Sequence, residues 1–176
     1  FSVAGGATPA GRLDIGKNGV VFDYTTTSPK AVIAALLVAG RAGGSWTGNG
    51  ITSANAAAAA SSYAVGYGEA SDLGSPATFL GQAVDASAVL ARYTLQGDAD
   101  LTGSVNLDDF TRLAAAFGQT GAEWTKGDFN YDGSVNLDDF TALAANFGLN
   151  AAGDLPRGSA VPEPAALSML AGAALL

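Results

Sequence analysis

The chain has 176 residues, a formal net charge of −8 and no basic cluster, so it is long enough for one or two small domains and unsuited to nucleic acid. It contains neither cysteine nor histidine, which excludes disulfides, thiol nucleophiles, zinc–thiolate centres and any Ser-His-Asp or Cys-His mechanism. Nearly half the residues are apolar, but many are alanine and 24 are glycine, so the core they form is built largely from small side chains.

Residues 1–11 are small and read as a terminal arm. Leu13 and Ile15 alternate with polar neighbours, Asn18-Gly19 is a hairpin turn signal, and Val20, Phe22 and Tyr24 alternate as the returning strand. Thr25 to Thr27 form a connection. Ser28-Pro29 supplies an N-cap and a first helical position, and Val32, Ile33, Leu36 and Leu37 give the buried face of a helix ending near Gly40. The glycines at 43, 44, 48 and 50 are not followed by Gly-Lys-Ser/Thr, so they read as backbone turns and not as a phosphate loop. Trp46 among them is a core or interface anchor. The alanine run Ala56 to Ala60, preceded by Ser53 and Asn55 as possible caps, is a short helix. Tyr63, Val65 and Tyr67 alternate as a strand with small residues opposite. Glu69 and Asp72 close it as a solvated acid pair, and residues 73–83 form a loop. A last strand runs from Val84 to Leu95 and leads directly into Asp98, which puts the sheet in contact with the C-terminal half of the chain.

That half contains a repeat. Gly97 to Gly118 recurs as Gly127 to Gly148, with 16 of 22 positions identical. Each copy opens with a twelve-residue acidic loop. Asp98, Asp100, Thr102, Ser104, Asn106 and Asp109 fall at positions 1, 3, 5, 7, 9 and 12 of the first; Asp128, Asn130, Asp132, Ser134, Asn136 and Asp139 do so in the second. This is the EF-hand ligand spacing, with Gly103 and Gly133 at position 6 for the sharp turn. Calcium takes six to eight oxygens, and alternate residues of a curled loop point inward together. Ser104 and Ser134 would contribute backbone carbonyls. Position 12, commonly Glu, is Asp in both copies, which draws the following helix closer to the ion. Each loop supplies three ligand carboxylates, so two Ca2+ sites are expected, with no ranking between them.

A helix follows each loop. Phe110, Leu113, Ala114 and Phe117 form one apolar stripe and Phe140, Leu143, Ala144 and Phe147 its counterpart, and the two are expected to pack on each other. Val105 and Val135, at loop position 8, would meet in a short strand pair.

Residues 97–149 resemble a type I dockerin, whose loop-helix repeats lack a full entering helix. The resemblance implies the two calcium sites residue by residue. In cellulosomal dockerins, residues just after loop position 9 and a basic pair further along the helix help recognise cohesin. Here those places hold Leu107, Asp108, Ala114 and Ala115, and Leu137, Asp138, Ala144 and Ala145, so the cohesin partnership is not carried over. The segment before the repeat also resembles, more loosely, a stretch that precedes dockerin-like tails in large bacterial surface proteins. Near the C-terminus, Val161-Pro162-Glu163-Pro164 and the apolar run after it resemble the PEP-CTERM sorting signal of Gram-negative bacteria, though only twelve residues follow the motif and its basic end is missing.

The expected fold is α+β: a small antiparallel β-rich domain over 1–95 with one or two helices, then an all-α EF-hand-like calcium module over 96–149. A linker over 150–164 and an apolar segment over 165–176 complete the chain. The first functional expectation is a secreted, calcium-binding structural protein of the bacterial cell surface, not an enzyme. It would self-assemble into a fibre or layer, with transient membrane association through the sorting segment. The alternative is a dockerin-type module that binds a cohesin-like partner.

Overall fold

The computed structural model describes residues 9–151. The expectations for the arm before residue 9, the linker and PEP motif beyond residue 151, and the apolar segment 165–176 lie outside those residues. Within them the chain forms β1 (Arg12–Asp14), β2 (Gly19–Asp23), α1 (Lys30–Arg41), β3 (Gly50–Thr52), α2 (Ala54–Ala58), β4 (Tyr63–Glu69), β5 (Thr78–Phe79), β6 (Gln82–Ala83), β7 (Ala88–Leu95), α3 (Leu107–Ala116) and α4 (Leu137–Asn146). Among the described residues no helix is long and apolar enough to cross a membrane.

The main sheet has the order β2-β7-β4, antiparallel throughout, with Phe22 opposite Val89 and Tyr67 opposite Ala91. All eight residues of β7 are buried, as a central strand covered on both faces requires. The hairpin expected at Asn18-Gly19 is not formed. The turn lies two residues earlier, at Gly16-Lys17, where the Asn18 amide donates to the Ile15 carbonyl at 2.9 Å and Gly16 takes φ +57°. β1 then pairs in parallel with β3, while β2 crosses to β7. An Asn-Gly pair marks a local reversal, but it does not choose the strand's partner.

Helix α1 buries Ile33, Leu36, Leu37 and Gly40, and packs on β3 and β4; Val32 faces outward. Its close approach to β3 depends on one glycine. A Cβ on Gly40 would lie 1.9 Å from the Ile51 carbonyl oxygen, so only glycine lets helix and strand meet there. Ser53 caps α2, its hydroxyl accepting from the Ala56 amide at 3.0 Å. The loop over 73–83 contains the small hairpin β5–β6. Glu69 is buried, not solvated: the hydroxyls of Tyr24 (3.1 Å) and Ser28 donate to its carboxylate. Asp72 instead lies 3.6 Å from the Lys30 ammonium, which also meets Glu123 at 2.9 Å.

The all-α EF-hand-like module is not formed. The described residues hold seven strands and four α-helices in one mixed structure. The repeat region contributes one helix per loop, a 3-10 turn at Trp124–Lys126, and antiparallel bridges at Ser104–Asn150 and Thr120–Ser134. The reason is that neither loop has an entering helix to pack against its exiting one. The sheet supplies the missing surface. Trp124, Phe129, Val105, Val135, Leu113 and Leu143 join the strand residues in one hydrophobic core.

Two glycines of β4 make that seat. A Cβ on Gly66 would come within 2.5 Å of Leu101 Cδ2 and 2.6 Å of Trp124 Nε1, and one on Gly68 within 2.4 Å of Thr125. Spaced by two, they leave one face of β4 flat for the 3-10 turn. The central Gly66→Ala substitution is expected to destabilise the protein by about 1–3 kcal/mol, the usual cost of overpacking. Urea denaturation of the full chain measures it, and an unchanged midpoint would contradict the role given to Gly66.

Candidate metal centre

Each acidic loop is held by its own backbone amides. In the first, Asp98 accepts from the Thr102 amide (3.0 Å) and the Gly103 amide (2.9 Å). In the second, Asp128 accepts from the amides of Asp132 (3.2 Å) and Gly133 (2.9 Å). Gly103 and Gly133 take φ +91° and +84°, the left-handed region the turn demands. The last acid of each loop closes the ring. Asp109 accepts from Ala99 (2.8 Å) and Asp100 (3.2 Å), and Asp139 from Phe129 (2.8 Å) and Asn130 (3.3 Å).

The same acids start the helices. Asn106 accepts from the Asp108 amide at 2.8 Å while Asp109 accepts from the Asn106 amide at 2.8 Å, a reciprocal capping box. Asn136 and Asp139 repeat it on α4. The Asn106 and Asn136 side-chain oxygens, expected at ligand position 9, are thus engaged as helix caps. Thr102 is exposed, and the backbones of Ser104 and Ser134 lie in the two antiparallel bridges.

Three of the expected ligands in the first loop converge. Carboxylate oxygens of Asp98, Asp100 and Asp109 all lie within 4.8 Å of one another, close enough to share one cation. In the second loop the Asn130 amide donates to Asp132 at 2.9 Å, so two expected ligands are bonded to each other. Burial raises the pKa of Asp98 to about 7, and those of Asp109 and Asp128 to about 6; Asp139 is raised in the same way. In each case the loop's amide donors oppose the shift, and neighbouring carboxylates add to it. An all-oxygen, anionic, half-buried donor set of this kind fits a hard divalent cation.

The loops exchange partners. Val105 and Val135 do not pair with each other. The Val105 amide donates to the Leu149 carbonyl (3.0 Å) and its carbonyl accepts from Gly148 (2.8 Å); Val135 does the same with Gln119 (3.0 Å) and Gly118 (2.8 Å). Likewise Leu143 of α4 sits over Gly97, and Leu113 of α3 over Gly127. The buried face of α3 is therefore Asp109, Leu113 and Ala116, and that of α4 is Asp139, Leu143 and Asn146. The phenylalanine stripes do not pack along their length. Phe110 and Phe140 meet edge-on at 6.4 Å, and Phe117, Phe147, Leu107 and Leu137 are exposed, the two leucines at 65%.

Four side chains outside the ligand pattern tie the loops to the sheet. The Thr94 hydroxyl donates to the Asp98 carboxylate, Trp124 Nε1 to the Asp98 carbonyl (2.7 Å), Arg92 Nη1 to the Leu101 carbonyl (2.7 Å), and the Tyr131 hydroxyl to the Val65 carbonyl. Sequence reasoning missed them. The available signal was polar Arg92 and Thr94 alternating on one face of an otherwise apolar strand.

No family model matches the chain, and no curated protein matches it. Among solved structures it is similar to a type II cohesin-dockerin domain from Bacteroides cellolosolvens. The identity is 38%, over 31% of this chain and 87% of that one, with a TM-score of 0.28. The likeness is thus confined to less than a third of the chain.

The raised carboxylates set a pH dependence. Between about pH 4, where unfolded aspartates ionise, and about pH 7, the folded chain holds protons that the unfolded chain has released. Their contribution to stability is complete below pH 4 and is lost as pH rises through the folded values. Without divalent cations, the thermal midpoint is expected to fall from pH 4 to pH 7; calorimetry in EDTA showing a rise across that window would contradict it.

Proposed function

We propose that this protein is a calcium-binding docking module without catalytic activity. The observation that carries the reading is the convergence of the buried Asp98 and Asp109 carboxylates with the half-buried Asp100 carboxylate, the second loop being held by the same pattern of amide bonds. Calcium bound by Asp98, Asp100, Thr102 and Asp109, and in the second loop by Asp128, Asn130, Asp132 and Asp139, would neutralise buried charge. An extracellular setting belongs to the same proposal, because millimolar calcium there keeps such loops filled.

With the loops filled, α3 and α4 are held in one arrangement and present Leu107, Phe110, Phe117, Leu137, Phe140 and Phe147 to solvent. Large apolar side chains left exposed on both helices are what a docking surface would use. Asp108 and Asp138 stand beside the two leucines and are also exposed, so the matching partner is a cohesin-like protein face that is apolar and edged by basic side chains.

Calorimetric titration of the full chain is expected to give two calcium ions per molecule, lost in Asp98→Asn/Asp128→Asn. Saturation at a hundredfold excess over Kd adds about 2.7 kcal/mol of stability per site. A chain that takes up no calcium at millimolar concentration would sink the reading. Docking is tested by surface plasmon resonance on the immobilised full chain, against cohesin domains with apolar faces and against the chain itself. Calcium-dependent cohesin binding that weakens by about 2 kcal/mol or more in Leu107→Lys/Leu137→Lys supports docking. Binding to itself alone would replace docking by self-assembly.

A further inference from the structure

The two loops carry equal numbers of ligand carboxylates, so charge does not rank them. Their surroundings differ. Thr94, at the end of β7, has no solvent exposure, and its hydroxyl donates to the same Asp98 oxygen that accepts from Gly103. The Asp98 carbonyl is held by the Trp124 indole, and the Leu101 carbonyl by Arg92. All three donors lie outside the loop. Asp98 is pinned at side chain and main chain, in the loop where three carboxylates already converge.

The second loop is supported otherwise. Four residues before Asp128, where the first copy has Thr94, stands Trp124, and its indole serves the first loop. The bonds to the Asp128 carboxylate come from Asp132 and Gly133 of its own loop. Asp132 is committed twice, to the Asn130 amide at 2.9 Å and to the Ser134 amide at 2.8 Å. Among the described residues, three carboxylates converge in the first loop and not in the second.

We infer that Thr94 is a positioning residue for the first loop, and that this loop takes up calcium ahead of the second. The inference rests on the proposed calcium function and ranks its two sites. A ligand oriented before binding loses less freedom on binding, and outer groups that orient metal ligands are worth about 10–100-fold in affinity.

The test is a calcium titration of the full chain followed by nitrogen-15 NMR at the Gly103 and Gly133 amides, one in each loop. In the natural sequence the Gly103 signal is expected to reach its midpoint at lower calcium than the Gly133 signal. Thr94→Val keeps the side-chain shape and removes the hydroxyl. It should weaken the first loop by about 10–100-fold, leave the second in place, and so level or reverse the order. Thr94→Ser, which keeps the donor, should stay near the original midpoint. The order in the natural sequence and the serine variant decide the matter if the valine variant does not fold. Simultaneous filling, second-loop-first filling, or an unmoved Gly103 midpoint in a folded Thr94→Val overturns the inference while leaving the calcium reading intact. If neither glycine responds to calcium, the calcium reading falls and the inference with it.

Discussion

Asp98 carries a carboxylate with no access to solvent. A charge in that position is tolerated only where donors or a cation surround it. The chain brings donors from three directions: amides of its own loop, a hydroxyl from β7 and, on the adjoining carbonyl, an indole from the turn before the second loop. The order of the fold is tied to this. The sheet must be in place to deliver Thr94, and Trp124 must be seated against Gly66 to deliver its indole. Loop and sheet are therefore parts of one core.

The exchange between repeats is the second constraint. Each helix lays a leucine across the glycine that opens the other loop, and each loop's valine bonds to the chain leaving the other helix. Gly97 and Gly127 sit at φ +105° and +104° with Cβ positions within 3 Å of the facing leucine backbone, so both the turn and the contact require glycine. Fixing the helix register through Leu113, Leu143 and the capping acids is also what turns the phenylalanines outward. Their exposure is a consequence of which residues are needed beneath.

The loops were legible in the sequence because their chemistry is local. Spacing of two, a glycine at position 6, and an acid three residues into a helix are properties of a dozen consecutive residues. Partner choice was not legible. Asn18-Gly19 pointed to a hairpin, but β1, only three residues long, carries no pattern strong enough to say that it belongs with β3. The apolar stripe Phe110–Phe117 has helical spacing, yet spacing alone leaves open which edge of the stripe is covered. Glu69 looked solvated because its donors, Tyr24 and Ser28, lie more than forty residues away. The all-α expectation failed for the same reason. Nothing within the repeat says that Gly66 and Gly68, far upstream, have been left bare to receive it.

Only Gln96 and Gly97 separate β7 from Asp98. Tension carried along the chain from Asp98 therefore enters the sheet through its middle strand. β7 is hydrogen-bonded along both sides, and antiparallel bonds run perpendicular to the strand. A pull along its axis loads both ladders at once, in shear, where an edge strand peeled from its end would give way one bond at a time. The topology that buries eight consecutive residues of β7 thus also makes it the strand best placed to bear a mechanical load.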